Sequence, residues 1–270
     1  MNRNCQPALT LYVVGLIGLG VLAIVFHDFA LDWQPVPPWV PGRIALAYGS
    51  GVLMLVCGAG LLFRATAMWP ARILFPYLIL WVLLKVRILF LAPGMEAVWL
   101  GFGEIVMVMT GGWILWANSD NAARRSMLTG ITGSSGLQRA QVAFALAVLP
   151  VGLSHLVYIP ETVGFVPAWM PTRIFWASLT GAGQIACGLG ILFRVLPRVA
   201  AWCEAGMVSV FTLLVWLPLV FAKPNDRGAW TGFLISWIIG AAAWVVAQQQ
   251  GAAQRLEGNQ DRLSEVATPT

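Results

Sequence analysis

Charged side chains are scarce in this chain: Asp, Glu, Lys and Arg make up 10% of its 270 residues, against about 25% in a soluble domain. Histidine occurs twice, at His27 and His155, and cysteine four times. These shortages exclude several classes. A water-soluble globule needs more polar surface than this composition supplies. The cysteines form no CxxC and no Cys/His cluster of zinc spacing, which removes a zinc centre and a dithiol redox centre. No GxSxG, HExxH, Walker A or strand-borne GxGxxG is present, so no catalytic motif argues for an enzyme. The net charge is +5, but the basic residues stand singly between apolar runs, which speaks against nucleic acid as a partner.

What the chain has in excess is apolar length. It is 59% hydrophobic with a mean hydropathy of +0.79. Eight segments are long enough to span a bilayer at about 20 residues each, near 8–26, 43–63, 71–92, 96–117, 140–158, 173–193, 199–221 and 229–247. Backbone polar groups in lipid must be satisfied within the segment, so each is expected to be a helix. The first resembles a signal peptide, but it matches the internal fifth segment and is therefore expected to stay as a membrane helix. Pro76, Pro150 and Pro218 are expected to kink their helices. Cys57 and Cys187 lie mid-span, as inert packing residues.

The segments form two copies of one module. Residues 37–64, PPWVPGRIALAYGSGVLMLVCGAGLLFR, align without a gap on 167–194, PAWMPTRIFWASLTGAGQIACGLGILFR, with 13 of 28 identical. Trp99/Trp230 and Trp113/Trp244 continue the match at a shift of 131. The expected organisation is a four-helix membrane repeat over 1–117, a cytoplasmic linker over 118–138, a second four-helix repeat over 139–247 and a disordered cytoplasmic tail over 248–270. Four spans per copy make the repeats parallel. With the N-terminus inside, ten basic residues near span ends fall in the cytoplasm, and only Arg43, Arg173, Lys223 and Arg227 fall outside. The expectation is therefore an all-α protein of the bacterial inner membrane with both termini cytoplasmic. Trp33, Trp39, Trp99, Trp169 and Trp230 are expected as interfacial anchors at the outer ends.

Two constellations carry candidate chemistry. Lys85, Arg87 and Glu104 lie about 12–14 Å below the turn joining the third and fourth spans, at similar depth on neighbouring helices. A Lys85–Glu104 ion pair is the expected way to hold such charges in a bilayer. The second copy has Trp216 and Ile235 at the corresponding places, so the module does not need these charges. They suit a ligand, ion or proton pathway, and equally a structural pair with Arg87 snorkelling to the surface. His27 and His155, at the outer ends of the first and fifth spans, are the candidates for a cofactor or proton site; interfacial side chains are the plainer reading. Glu204, early in the seventh span, is expected to be hydrated or paired with Arg198, without function. The P-x-W-x-P-x-R loops are expected to set the entry into the following spans.

The stretch VPAWMPTRIFWASLTGAGQIACGLGILFRVLPRVAAW, and more weakly PPWVPGRIALAYGSGVLMLVCGAGLLFRATAMWPA, resembles the DoxX-like family of small bacterial membrane proteins. Members typically have four spans, so the chain looks like two fused DoxX-like modules. The resemblance implies a non-catalytic partner or quinone-proximal subunit of a redox system, with quinone or haem as the cofactors to consider and a redox protein as partner. The chain departs from the family where a Glu often precedes the glycine pair of the second span; Gln184 and Met54 stand there. The residues themselves leave two rivals open: a small-solute or ion carrier with its site between the repeats, and a membrane scaffold without ligand.

Overall fold

A computed structural model of the chain describes residues 6–63, 65–119 and 130–267, with side chains described within 7–118 and 130–250. All regular structure among them is helical. In chain order the helices are α1 (Gln6–Val25), α2 (Arg43–Leu62), α3 (Met68–Leu91), α4 (Glu96–Ser119), α5 (Gly133–Val157), the short α6 (Ile159–Phe165), α7 (Arg173–Leu192), α8 (Pro197–Phe211), α9 (Leu217–Ala222) and α10 (Arg227–Ala267). A π-helical turn, Thr212–Trp216, joins α8 to α9 as one span, and a 3-10 turn, Leu31–Trp33, sits in the loop between α1 and α2. Eight helical stretches, from Pro7–Val25 to Arg227–Gln250, are long and apolar enough to cross a membrane. Their bounds fall close to the segments expected from hydropathy, and the chain has the make-up of a multi-pass integral membrane protein.

The core sits around two helices. In α10 and α4, 78% and 61% of the span is buried within the protein, against 22% for the span formed by α8 and α9. α1 packs on α2 and α10, α5 on α7 and α4, α3 on α4, and α8 on α10. Large apolar side chains such as Phe90, Phe193 and Phe221 stand exposed on the outside of the bundle, where lipid is their natural solvent. Two crossings bring backbones together through glycine. At the α1–α2 crossing, a Cβ on Gly20 would lie 2.8 Å from the Gly51 carbonyl oxygen; at the α5–α7 crossing, a Cβ on Gly152 would lie 2.8 Å from that of Gly181. Small residues at these points permit the close packing that membrane helices rely on. Two buried donors on aromatic rings also join helices through backbone carbonyls: Tyr12 Oη donates to Val108 (2.7 Å) and Trp237 Nε1 to Leu11 (2.9 Å).

Two expectations need correction, and the prolines within the spans lie as follows. α5 begins at Gly133, so the last part of the expected linker is helical; residues 120–129 lie outside the described residues. α10 continues to Ala267 through most of the expected disordered tail. Ala, Gln, Arg, Leu and Glu there are good helix formers, and extending an existing helix avoids the cost of nucleation. Helices α3 and α5 run unbroken through Pro76 and Pro150. Near Pro218 the interruption is the π turn just before it, a recognised source of helix irregularity.

Candidate functional site

Lys85 and Glu104 lie beneath the loop that follows α1. This loop turns inward because His27 and Leu31 adopt left-handed backbone conformations, φ 55° and 33°, which reverse the chain and bury Phe29 and Ala30. Buried Gln34 holds it in place. Its Oε1 accepts from the Ala30 amide (2.8 Å), and its Nε2 donates to Tyr77 (3.1 Å) on α3 and Ser50 (3.3 Å) on α2. The Ser50 and Tyr77 hydroxyls share a 2.6 Å hydrogen bond. Phe29 and Tyr77 each meet the Trp81 ring edge-on.

The loop carries one side chain down to the intramembrane acid. Trp33 Nε1 donates to Glu104 Oε2 at 2.6 Å. Trp33, expected as an interfacial anchor, is thus turned into the protein. Trp39 and Trp169 stay exposed, as an anchor would be.

Asp28 fastens the loop from above. Its carboxylate forms ion pairs with Arg43, at the start of α2, and with Arg227, at the start of α10 (2.9 Å). It accepts the Phe29 amide at 2.8 Å, and Arg227 also donates to the Phe29 carbonyl. Burial pushes the Asp28 carboxyl up, but the Phe29 amide and the Arg227 and Arg43 guanidinium groups outweigh it. They hold the carboxyl below the usual aspartate range. Arg43, read from sequence as an entry residue of the P-x-W-x-P-x-R loop, is one jaw of this clasp.

Lys85 is 7% exposed. Its ammonium lies over Gly101: a Cβ there would be 2.8 Å from Nζ. It is within electrostatic reach of Glu104 and Asp32, yet the expected direct Lys85–Glu104 ion pair is not formed. The Glu104 carboxylate is engaged by an indole, and the Lys85 donors meet no hydrogen-bond acceptor among the described residues. Arg87 is not part of this arrangement. It is exposed, two positions from Lys85 and so on another face of α3, where its side chain can reach towards the helix end.

The two histidines are not brought together. His27 Nδ1 bonds the Tyr48 hydroxyl of α2. His155 Nδ1 meets the Val151 carbonyl at 2.8 Å, which makes that nitrogen the protonated one, and its ring packs edge-on to Phe211. His27 lies in the loop just after α1 and His155 on α5, and α1 and α5 share no substantial interface. Among the described residues, no group of three or more His, Cys, Asp or Glu side chains is placed to hold a metal ion.

Two further features escaped sequence reasoning. A groove of about 910 Å³ runs between α4, α5 and α7; Trp99, Phe102, Leu146, Pro150 and Ile185 are among its apolar walls, and Glu96 lies at one end. Both Glu96 carboxylate oxygens are covered and without a hydrogen-bond partner. Glu204 is neither hydrated nor paired with Arg198. It is fully buried, and Gln184 Nε2 of α7 donates to its Oε1 at 3.3 Å. The only sequence signal for this contact is two polar residues inside apolar spans.

Comparison of the chain with family models, with curated proteins and with solved structures finds no match.

Proposed function

We propose that the chain is a bacterial inner-membrane carrier for a small anionic solute, with Lys85 as its binding residue. The observation that carries this reading is the Lys85 ammonium: buried, facing the space left by Gly101, and without an ion-pair partner among the described residues although Glu104 is nearby. An intramembrane cation held this way is costly unless a ligand answers it. Glu104 and Trp33 shape the floor of the site, and the loop clasped by Asp28 covers it. Arg227 belongs to α10, so the clasp joins the last span to the first two. Release of the Asp28 clasp would open the site to one side of the membrane.

The architecture proposed with it is two fused DoxX-like modules in parallel orientation, with both termini cytoplasmic. Paired contacts support the two modules: the glycine crossings of α1–α2 and α5–α7, and the hydrogen bonds of Trp99 to the Pro93 carbonyl (2.9 Å) and Trp230 to the Pro224 carbonyl (2.8 Å). The positive-inside balance supports the orientation.

The test is flux in reconstituted vesicles, with chloride, phosphate and sulfate as probes. Wild type and Arg87→Leu are expected to move at least one of these anions at similar rates, and Lys85→Met to lose at least nine-tenths of the rate. Transport by Lys85→Met at the wild-type rate would sink the proposal, as would the absence of any anion flux.

The groove beside Glu96 favours a second reading, a quinone-proximal membrane partner of a redox system: its apolar walls and single carboxyl suit a hydrophobic molecule with one polar head. Solvent extraction of gently purified protein followed by mass spectrometry tests it. Near-stoichiometric quinone supports this reading, and its absence from protein purified out of quinone-containing membranes counts against it.

A further inference from the structure

We infer that Gln184 and Glu204 form a proton-binding site in the second half of the chain, in which Glu204 is a neutral carboxylic acid closed onto the Gln184 amide. This inference stands apart from the carrier reading of Lys85.

The Gln184–Glu204 pair at the α7–α8 contact has four polar side-chain atoms, and one hydrogen bond joins the two groups. Gln184 Nε2 donates to Glu204 Oε1 at 3.3 Å. Gln184 Oε1 and Glu204 Oε2 are both covered and without a partner. Glu204 is 0% exposed and Gln184 6%. Glu204 lies seven residues into α8, about 10 Å from the helix start, so interfacial water does not compensate a charge there.

The deficit has a definite sign. An ionised carboxylate only accepts, and the amide oxygen only accepts. If Glu204 is charged, two buried acceptors are left without a donor, with one long hydrogen bond to stabilise the anion and no ion pair among the described residues. A proton on Glu204 Oε2 turns that oxygen into a donor that the amide oxygen of the same bonded pair can accept. The amide N–H to acid oxygen bond and the acid O–H to amide oxygen bond then close a ring that satisfies all four atoms. Buried polar groups are normally partnered, and unpaired buried charge is the costliest alternative. The titratable neighbours are the thiols of Cys187 on α7 and Cys203 on α8; neither supplies a positive charge. Met54 and Leu74 stand 130 positions before Gln184 and Glu204, so the repeat fold does not require the pair.

The test is infrared spectroscopy on the full chain in lipid, read as the difference between wild type and Glu204→Gln at neutral pH. The expected result is loss of one protonated-acid C=O band, which in wild type shifts down in D2O. Loss of ionised-carboxylate bands instead would overturn the site. Gln184→Leu, which keeps Glu204, supplies an independent reading: with the amide gone, the acid band is expected to move to higher frequency. An acid band unmoved by Gln184→Leu would overturn the closed pair even if Glu204 is protonated.

Discussion

Lys85 and Trp216 stand 131 positions apart, and so do the glycines they rest on, Gly101 and Gly232. In the first half an ammonium lies over the glycine; in the second the indole ring of Trp216 fills the same kind of notch. Three residues beyond each glycine, the first half has Glu104, bonded by Trp33, and the second has Ile235, buried at 3%. One helix arrangement thus accepts either a charged or an apolar filling. A bilayer penalises buried charge by roughly 2.5–3.5 kcal/mol even on lenient scales, so the apolar version is the cheaper one to build. Presence of the charged version in one half alone is what the proposed carrier role of Lys85 would account for.

The strongest test of this contrast removes the charges singly and together. Lys85→Met leaves a buried carboxylate with one indole donor; Glu104→Leu leaves a buried ammonium with no acid of comparable burial nearby. The two charges attract without a direct ion pair, so each single change is expected to cost about 1 kcal/mol in unfolding from detergent, less than the breaking of a direct buried pair. The double variant imitates the second half and is expected to cost less than either single change. Additive single effects would show that the two charges are energetically independent and that proximity alone links them.

A second test exchanges the notches for alanine. Gly232→Ala places a methyl group within the Trp216 ring, a rigid body packed also against Phe165. Overpacking of this kind costs about 2 kcal/mol. Gly101→Ala meets only the tip of a flexible lysine. Its strain is expected to be offset by the gain in helix propensity, about 1 kcal/mol, while anion flux falls because the ammonium is displaced. Thermal unfolding of the two variants side by side checks this. Equal destabilisation would mean that Lys85 is as fixed as Trp216.

Much of the fold was legible in the sequence, because hydropathy over about 20 residues reports a spanning helix directly. Lys85 and Glu104 were legible as well, from their depth in apolar runs. What escaped was everything set by contacts across the bundle. Trp33 read as an interfacial anchor, because its partner lies 71 positions away. Asp28 and Arg227 carry no sequence sign of their meeting across 199 positions (227 minus 28). Arg87 reads like Lys85 in composition and differs only by its face of α3. The helical tail escaped for another reason: propensity alone carries a helix that has no apolar stripe to announce it.

The smallest expected effect concerns the clasp, and it probes whether the first half opens where the second has no counterpart. The Asp28 carboxyl is held below the usual aspartate range. A lowered folded-state value means that the stabilisation is complete above the ordinary aspartate range and is lost as pH falls through the lowered folded value. The clasp is therefore expected to hold at neutral and mildly acidic pH and to loosen only in stronger acid. The group is partly exposed, with side-chain exposures of 22–25% across both ion pairs, so the whole clasp contributes about 1 kcal/mol or less. Hydrogen exchange over residues 26–42, corrected for the intrinsic pH dependence of exchange, reads this locally. Asp28→Asn is expected to raise exchange there at neutral pH and to remove the acid step that wild type shows, while exchange over residues 158–172 stays unchanged. A flat wild-type profile, or the same acid step in Asp28→Asn, would mean that Gln34 and its hydroxyl partners hold the loop without Asp28.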